Sequence, residues 1–198
     1  MTKAIDISNF IPVSEKSVVH ESDLYILIKD CIAQSRSAQK KLYDIYAPAA
    51  YAVIRRYMYN NEHAAHEILN DSFYKIFTKL AQYSHQGAFE GWIRKIVVNT
   101  VTDYLRKNLK DSQMHKEVQP EDGYVDCSSV ENLSYKELLQ LVQELPEMQL
   151  TVFNLFVFEN YSHKEIGTLI NINENNSRWY LNDARRRLKE KLQFNIMQ

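Results

Sequence analysis

Glycine and proline are scarce, four of each in 198 residues, and a chain so short of turn-formers cannot supply the closely spaced turns of an all-β fold. Helix is the class that remains. Cysteine is scarcer still: Cys31 and Cys127 stand far apart and outside any Cys-x-x-Cys spacing, so neither a disulfide framework nor a thiolate zinc site is indicated. No apolar run reaches the length of a membrane span, and the opening MTKAIDISNFIPVSEKSVV lacks the basic-then-apolar layout of a secretory signal. The expectation is a cytoplasmic protein with no membrane insertion. An excess of either charge is also missing. A net charge of -1 argues at first against a nucleic-acid partner, because phosphate attraction supplies most non-specific affinity.

What the chain does have is charge sorted by segment. Arg94 to Lys110 holds five Lys/Arg against one Asp, and Arg178 to Lys191 holds six against two acids. Between them, residues 111–147 carry nine acids and two lysines. Two basic surfaces therefore flank an acidic stretch that masks them in the total.

Apolar spacing organises the same map. Residues 1–22 show no sustained period and read as a flexible arm. From Asp23 the helical period begins with Leu24, Leu27, Ile28 and Cys31, followed by Leu42, Ile45, Tyr46 and Ala49. A third run repeats Ala65, Ile68, Leu69, Phe73, Ile76, Phe77 and Leu80 at threes and fours. After the YSHQGAF break, a fourth run carries Trp92, Ile93, Ile96, Val97, Val101 and Leu105. Residues 23–107 thus form a four-helix unit. Residues 108–132, with Pro120, Gly123 and several serines but no apolar period, read as a flexible acidic linker. A second helical unit occupies 133–198, with Pro146 placed to start a helix that continues through Val152, Phe153, Leu155, Phe156 and Phe158. The fold class is all-α in two domains.

Within the second unit, YSHKEIGTLININENNSRWYLNDARRRLKEKL has the layout of a helix-turn-helix. Ser162 and Glu165 make a capping box, Ile166, Leu169 and Ile170 the buried side of a short helix, and Gly167 the small residue at the crossing. Asn173 caps a longer helix with Ser177, Leu181, Ala184, Leu188 and Leu192 inward. Asn175, Arg178, Trp179, Asn182 and Arg186 are left outward. Such a motif presents the start of its second helix to a major groove, where Arg and Asn match guanine and adenine edges. The basic ARRRLKEKL run suits phosphates.

The two units together resemble an extracytoplasmic-function sigma factor of the bacterial RNA polymerase. ILNDSFYKIF and GAFEGWIRKIVVNTVTDYLRK are similar to the family's second region, and LPEMQLTVFNLFVFENYSHKEIGTLI with ARRRLKEKL to its fourth. The resemblance implies core polymerase as partner, through the largest-subunit coiled coil and the flap region. Polymerase contacts would fall on Leu69, Asn70, Asp71, Phe73 and Ile76, with core packing the competing role for the three apolar residues. It implies recognition and melting of a -10 element by Tyr83, Phe89, Trp92, Arg94, Lys95, Asn99, Arg106 and Lys107. Phe89 and Trp92 could instead be a core pair. It implies -35 contacts from Asn175, Arg178, Trp179, Asn182, Arg185 and Arg186. An anti-sigma factor is a further implied partner, and one able to hold the protein at the membrane until release to the nucleoid. Where relatives read Gly-Thr-Val-Lys-Ser-Arg-Leu, this chain has Asn175 to Leu181 with bulky Trp179 and Tyr180, and Asp183 stands where a base is common. An acid there would repel phosphate or select cytosine, so weak -35 affinity and a second, DNA-bound recruiting protein are expected.

Two other readings compete. A self-sufficient helix-turn-helix regulator, its first unit sensing or dimerising, would bind duplex without polymerase and would not need docking and melting helices in that unit. An enzyme using His63, His66 and Asp71 would need a phosphate loop, a nucleophile beside a base, or a metal set. His63 and His66, flanked by Glu62 and Glu67, show no third ligand. No catalysis, metal or cofactor is expected.

Overall fold

The computed structural model describes residues 21–109 and 135–196, and every regular element among them is helical. Residues 1–20, nearly all of the expected arm, and residues 110–134, which include all of the expected linker 108–132 but its first two positions, lie outside the described residues. The chain divides into two compact units, residues 1–104 and 105–198.

The first unit contains α1 (Glu21–Ile32), α2 (Arg36–Tyr57), α3 (Glu62–Lys79) and α4 (Phe89–Leu109), the last running on past the division. A 3₁₀ turn, Leu80–Gln82, prolongs α3. Side-chain caps set the starts. Ser35 accepts from the Ala38 N–H and Asn61 from the Ala64 N–H, each meeting one of the donors that a helix start leaves without a partner. Pro48 lies inside α2 and withholds a backbone donor, a defect that costs about 3 kcal/mol in a helix interior. Burial of Leu42, Ala47, Ala50, Val53 and Ile54 on the same helix outweighs it. Each fully buried Leu or Ile contributes on the order of 1.5–3 kcal/mol. Helix α2 packs on α3, and Ile68, Phe73 and Ile76 of α3 and Val97 and Val101 of α4 are buried with it.

The second unit contains α5 (Tyr135–Gln143), α6 (Glu147–Phe153), α7 (His163–Ile170) and α8 (Glu174–Ile196). Helix α8 is its spine, with α5, α6 and α7 all packed on it. The helix expected to continue from Pro146 through Phe158 instead widens at Asn154–Phe158 into a π-turn. The Glu159 N–H reaches back to the Asn154 carbonyl and the Tyr161 N–H to the Leu155 carbonyl, and Asn160 then turns the chain at φ 56. Such widened turns recur at functional positions.

Candidate nucleic-acid interface

In the first unit the apolar period of α3 settles which residues face inward. Leu69, Phe73 and Ile76 are buried, so as placed they do not reach a partner. Phe73 packs its ring against Tyr43 at 4.5 Å and Phe77 at 6.0 Å. These three hold the helix, while Asn70 and Asp71 are exposed on its other side. Tyr74, which the periodic reading passed over, follows them one turn on and is 72% exposed. It is the most exposed large apolar side chain among the described residues. Tyrosine is one of the residue types enriched at protein interfaces.

The YSHQGAF break is a folded loop. Tyr83 donates its hydroxyl to the Gly87 carbonyl at 2.8 Å, and His85 and Gly87 both sit at positive φ, 56 and 84. Glycine adopts that backbone without a Cβ penalty, and the loop needs it at Gly87. Phe89 is only 2% exposed, edge-on to Tyr46 of α2 at 5.3 Å, so it is a core residue and not a stacking platform. Trp92 differs. Its ring stacks on Phe89 at 5.7 Å and 15°, lies 5.5 Å from Tyr83, and remains half-exposed. Phe89 is therefore the floor on which Tyr83 and Trp92 rest. His85 carries the ring contacts on to Tyr25 of α1, at 4.8 Å from Tyr83 and 5.4 Å from Tyr25.

Helical spacing places Lys95, Asn99 and Arg106 on the stripe of α4 that begins at Trp92, at i+3, i+7 and i+14, with Lys107 beside it. Arg94, two residues after Trp92, is turned roughly 200° away and joins a different face. The stripe is not purely basic. Asp103 lies on it, and accepts from Lys75 of α3 at 3.1 Å, which offsets its charge.

In the second unit the local chemistry follows the sequence closely. Ser162 and Glu165 complete the capping box of α7, and Asn171 ends that helix in the left-handed region at φ 57. The Asn173 side chain accepts from the Asn176 N–H at 2.6 Å and starts α8. A Cβ on Gly167 would meet the Ile172 carbonyl oxygen at 2.7 Å. Glycine is thus required by the turn's backbone. Ser177, Leu181, Ala184, Leu188 and Leu192 are all buried, which leaves Asn175 and Arg178 exposed and Trp179 and Asn182 half-exposed over the first two turns of α8. The Trp179 ring stands edge-on to Tyr180 at 5.2 Å.

Asp183 corrects one expectation. It is 7% exposed and accepts from Gln149 of α6 at 2.8 Å, from Arg186 at 2.6 Å and from Arg187 at 2.7 Å. Burial pushes its carboxyl up, but the hydrogen bonds from Arg187, Arg186 and Gln149 prevail and hold it below the ordinary carboxylate value. It fastens α6 to α8 and is not presented to a base or a phosphate. Arg186 also bonds Glu190 at 2.7 Å, and Arg178 bonds Glu174 at 2.5 Å. Arg185 lies over the Phe156 ring, 5.9 Å from its centroid.

The paired histidines of α3 do not converge. His66 stacks on Tyr51 at 5.0 Å and pairs with Glu62 at 3.7 Å. Among the described residues no group of three His, Cys, Asp or Glu side chains could hold a metal ion, and no helix is long and apolar enough to cross a membrane.

Comparison with known proteins places both units. Residues 42–110 match Sigma-70 region 2 and residues 135–188 match Sigma-70, region 4. The chain is 26% identical over 154 residues to the ECF RNA polymerase sigma factor SigM of Bacillus subtilis (strain 168), covering 75% of this chain and 91% of that one. It is 24% identical over 183 residues to SigW of the same organism, covering 84% and 97%. Among solved structures, the sigma factor RpoE of Bartonella quintana, crystallised with the anti-sigma factor NepR, aligns at 18% identity and TM-score 0.46, covering 78% of this chain and 96% of that one.

Proposed function

The chain belongs to the sigma-70 family and is a transcription initiation factor of the extracytoplasmic-function type, and on that premise we propose how its residues divide the work. Asn70, Asp71 and Tyr74 dock on the coiled coil of the largest polymerase subunit, helix against helix, and the second unit meets the flap region. Trp92, Tyr83, Lys95, Asn99, Arg106 and Lys107 engage the -10 element. Unstacking a base costs a few kcal/mol, and an aromatic side chain beside cations offsets that by stacking the extruded base and holding its phosphates. Asn175, Arg178, Trp179 and Asn182 face the -35 major groove, while Arg185 and Arg186 meet phosphates. The factor itself is non-catalytic, and phosphoryl transfer stays with the polymerase.

One observation carries this division: a single chain bears an outward aromatic and cationic stripe on α4 and an outward Asn, Arg and Trp stripe on the second helix of a helix-turn-helix. A self-sufficient regulator would have no use for the first of these. An anti-sigma factor that covers these surfaces until a signal arrives is the partner that the family leads us to propose, with the protein cytoplasmic and nucleoid-associated once free. Bulky Trp179 and Tyr180, and an Arg178 already paired with Glu174, favour a weak -35 contact helped by a second DNA-bound protein. Run-off transcription with core polymerase on a library of random promoters tests the whole. Factor-dependent transcripts sharing a -10 motif are expected. Duplex binding by the factor alone, without transcripts, would overturn the reading in favour of a regulator, and full-rate transcription without a helper would remove the recruiting protein.

A further inference from the structure

Of the four arginines of α8, Arg178, Arg186 and Arg187 each meet a carboxylate of their own helix, from Glu174, Asp183 or Glu190. Arg185 alone has no carboxylate partner among the described residues. Its guanidinium lies over Phe156, a residue of the π-turn. A ring face attracts a cation without occupying its N–H donors, so Arg185 is held and still able to donate.

The Phe156 ring is itself fixed. It stacks on the imidazole of His163, the first residue of α7, with centroids 4.6 Å apart and planes 22° apart. On its other contact, His163 Nδ1 lies 3.0 Å from Ser177 Oγ on the buried face of α8. His163 therefore touches both the ring that carries Arg185 and the helix to which Arg185 belongs. Arg178, Asn182 and Arg185 follow one another at i, i+4 and i+7 along one edge of α8, and His163 feels the charges of Arg178, Glu174 and Arg185 at that edge.

The geometry points to His163 as a positioning residue for -35 recognition: by stacking on Phe156 it holds Arg185 where a DNA phosphate can meet it. Nothing in the helix-turn-helix pattern singles this residue out, and no -35 contact of its own is required of it. The inference rests on the reading of the second unit as a -35 reader. It adds a route from the first helix of the motif, through an aromatic ring outside the motif, to a cation of the second.

The test uses holoenzyme assembled from core polymerase and the full chain, on a promoter selected from the random library. The readout is the ratio of transcription from that promoter to transcription from the same promoter with its -35 element scrambled. A loss of folded factor lowers both and cancels. His163→Ala is expected to lower the ratio roughly threefold or more, the range of directly coupled residues. His163→Phe, which keeps the stacked ring, should restore most of it. In an Arg185→Ala background, His163→Ala should lower the ratio no further, because the route it acts through is already gone. An unchanged ratio for His163→Ala, or two losses that simply multiply, would overturn the proposal. Rescue by His163→Gln but not by His163→Phe would overturn the route through Arg185, because the Ser177 bond would then be what matters. A wild-type ratio of one would instead mean that the -35 reading itself has failed, an outcome visible before any substitution is made.

Discussion

Leu69 and Tyr74 stand five residues apart on one helix and separate packing from contact. Leu69→Ala empties a buried site and should lower stability by about 2–5 kcal/mol, whatever the partner. Tyr74→Ala removes an exposed ring and should leave the melting temperature nearly unchanged while weakening binding to core polymerase. Thermal melting beside a core-binding titration distinguishes the two, and equal effects on both would count against docking through this face. Two titrations belong to this scale as well. Burial, aided by Arg178 and Arg185 and opposed by Glu174, pushes the His163 imidazole below its ordinary value. The unfolded chain then binds more protons than the folded one, so this residue's contribution is complete above about pH 6.5 and is lost as the pH falls below that value. An NMR titration, with His163→Gln to identify the signal, should find a midpoint lower than that of an exposed histidine. Asp183 has the opposite chemistry and the same direction. Its carboxyl is held below the ordinary value, so its contribution is complete above the unfolded value near 4 and is lost as the pH falls through the lower folded one. Asp183→Ala would leave Gln149 with no acceptor there and should cost on the order of 1–3 kcal/mol.

At the scale of elements, the parts set by short-range chemistry were legible in the sequence. The capping box at Ser162, the Asn173 cap, the glycine at the turn and the inward stripe of α8 each depend on residues within a turn or two of one another. Features set by distant partners were not legible. The π-turn at Asn154–Phe158 follows an apolar run that also fits an ordinary helix. Asp183 looked like a groove residue because its acceptor role depends on Gln149, 34 positions earlier in the chain. Phe89 and Trp92 have the spacing of a pair, yet only the packing of α2 through Tyr46 decides that one is floor and the other surface. The turn of the helix-turn-helix gives the clearest prediction here. Gly167→Ala forces a Cβ against the Ile172 carbonyl, and because that contact is backbone the turn must shift. A loss of about 1–3 kcal/mol is expected, together with loss of -35 dependence in run-off transcription and retention of -10-dependent initiation.

For the whole molecule, two basic faces and an acidic segment in one nearly neutral chain separate affinity from activity. Free in solution, the factor carries a net charge of -1 and gains little long-range steering toward DNA, so strong promoter binding should require core polymerase. Gel-shift titrations of the factor with and without core, at fixed salt, check this. The ion pairs along α8 add a consequence for the second face. DNA binding ordinarily gains from the release of condensed ions when mobile cations give way to protein cations. Arg178, Arg186 and Arg187 arrive with carboxylate counterions covalently part of the same helix, and phosphate must compete with Glu174, Asp183 and Glu190 rather than with chloride from the buffer. Each such exchange releases a cation from the DNA but leaves an acid stranded beside it. On the proposed -35 reading, the second helix of the motif would work as an internal ion exchanger, with a binding strength set by which anion, its own or the promoter's, each guanidinium keeps.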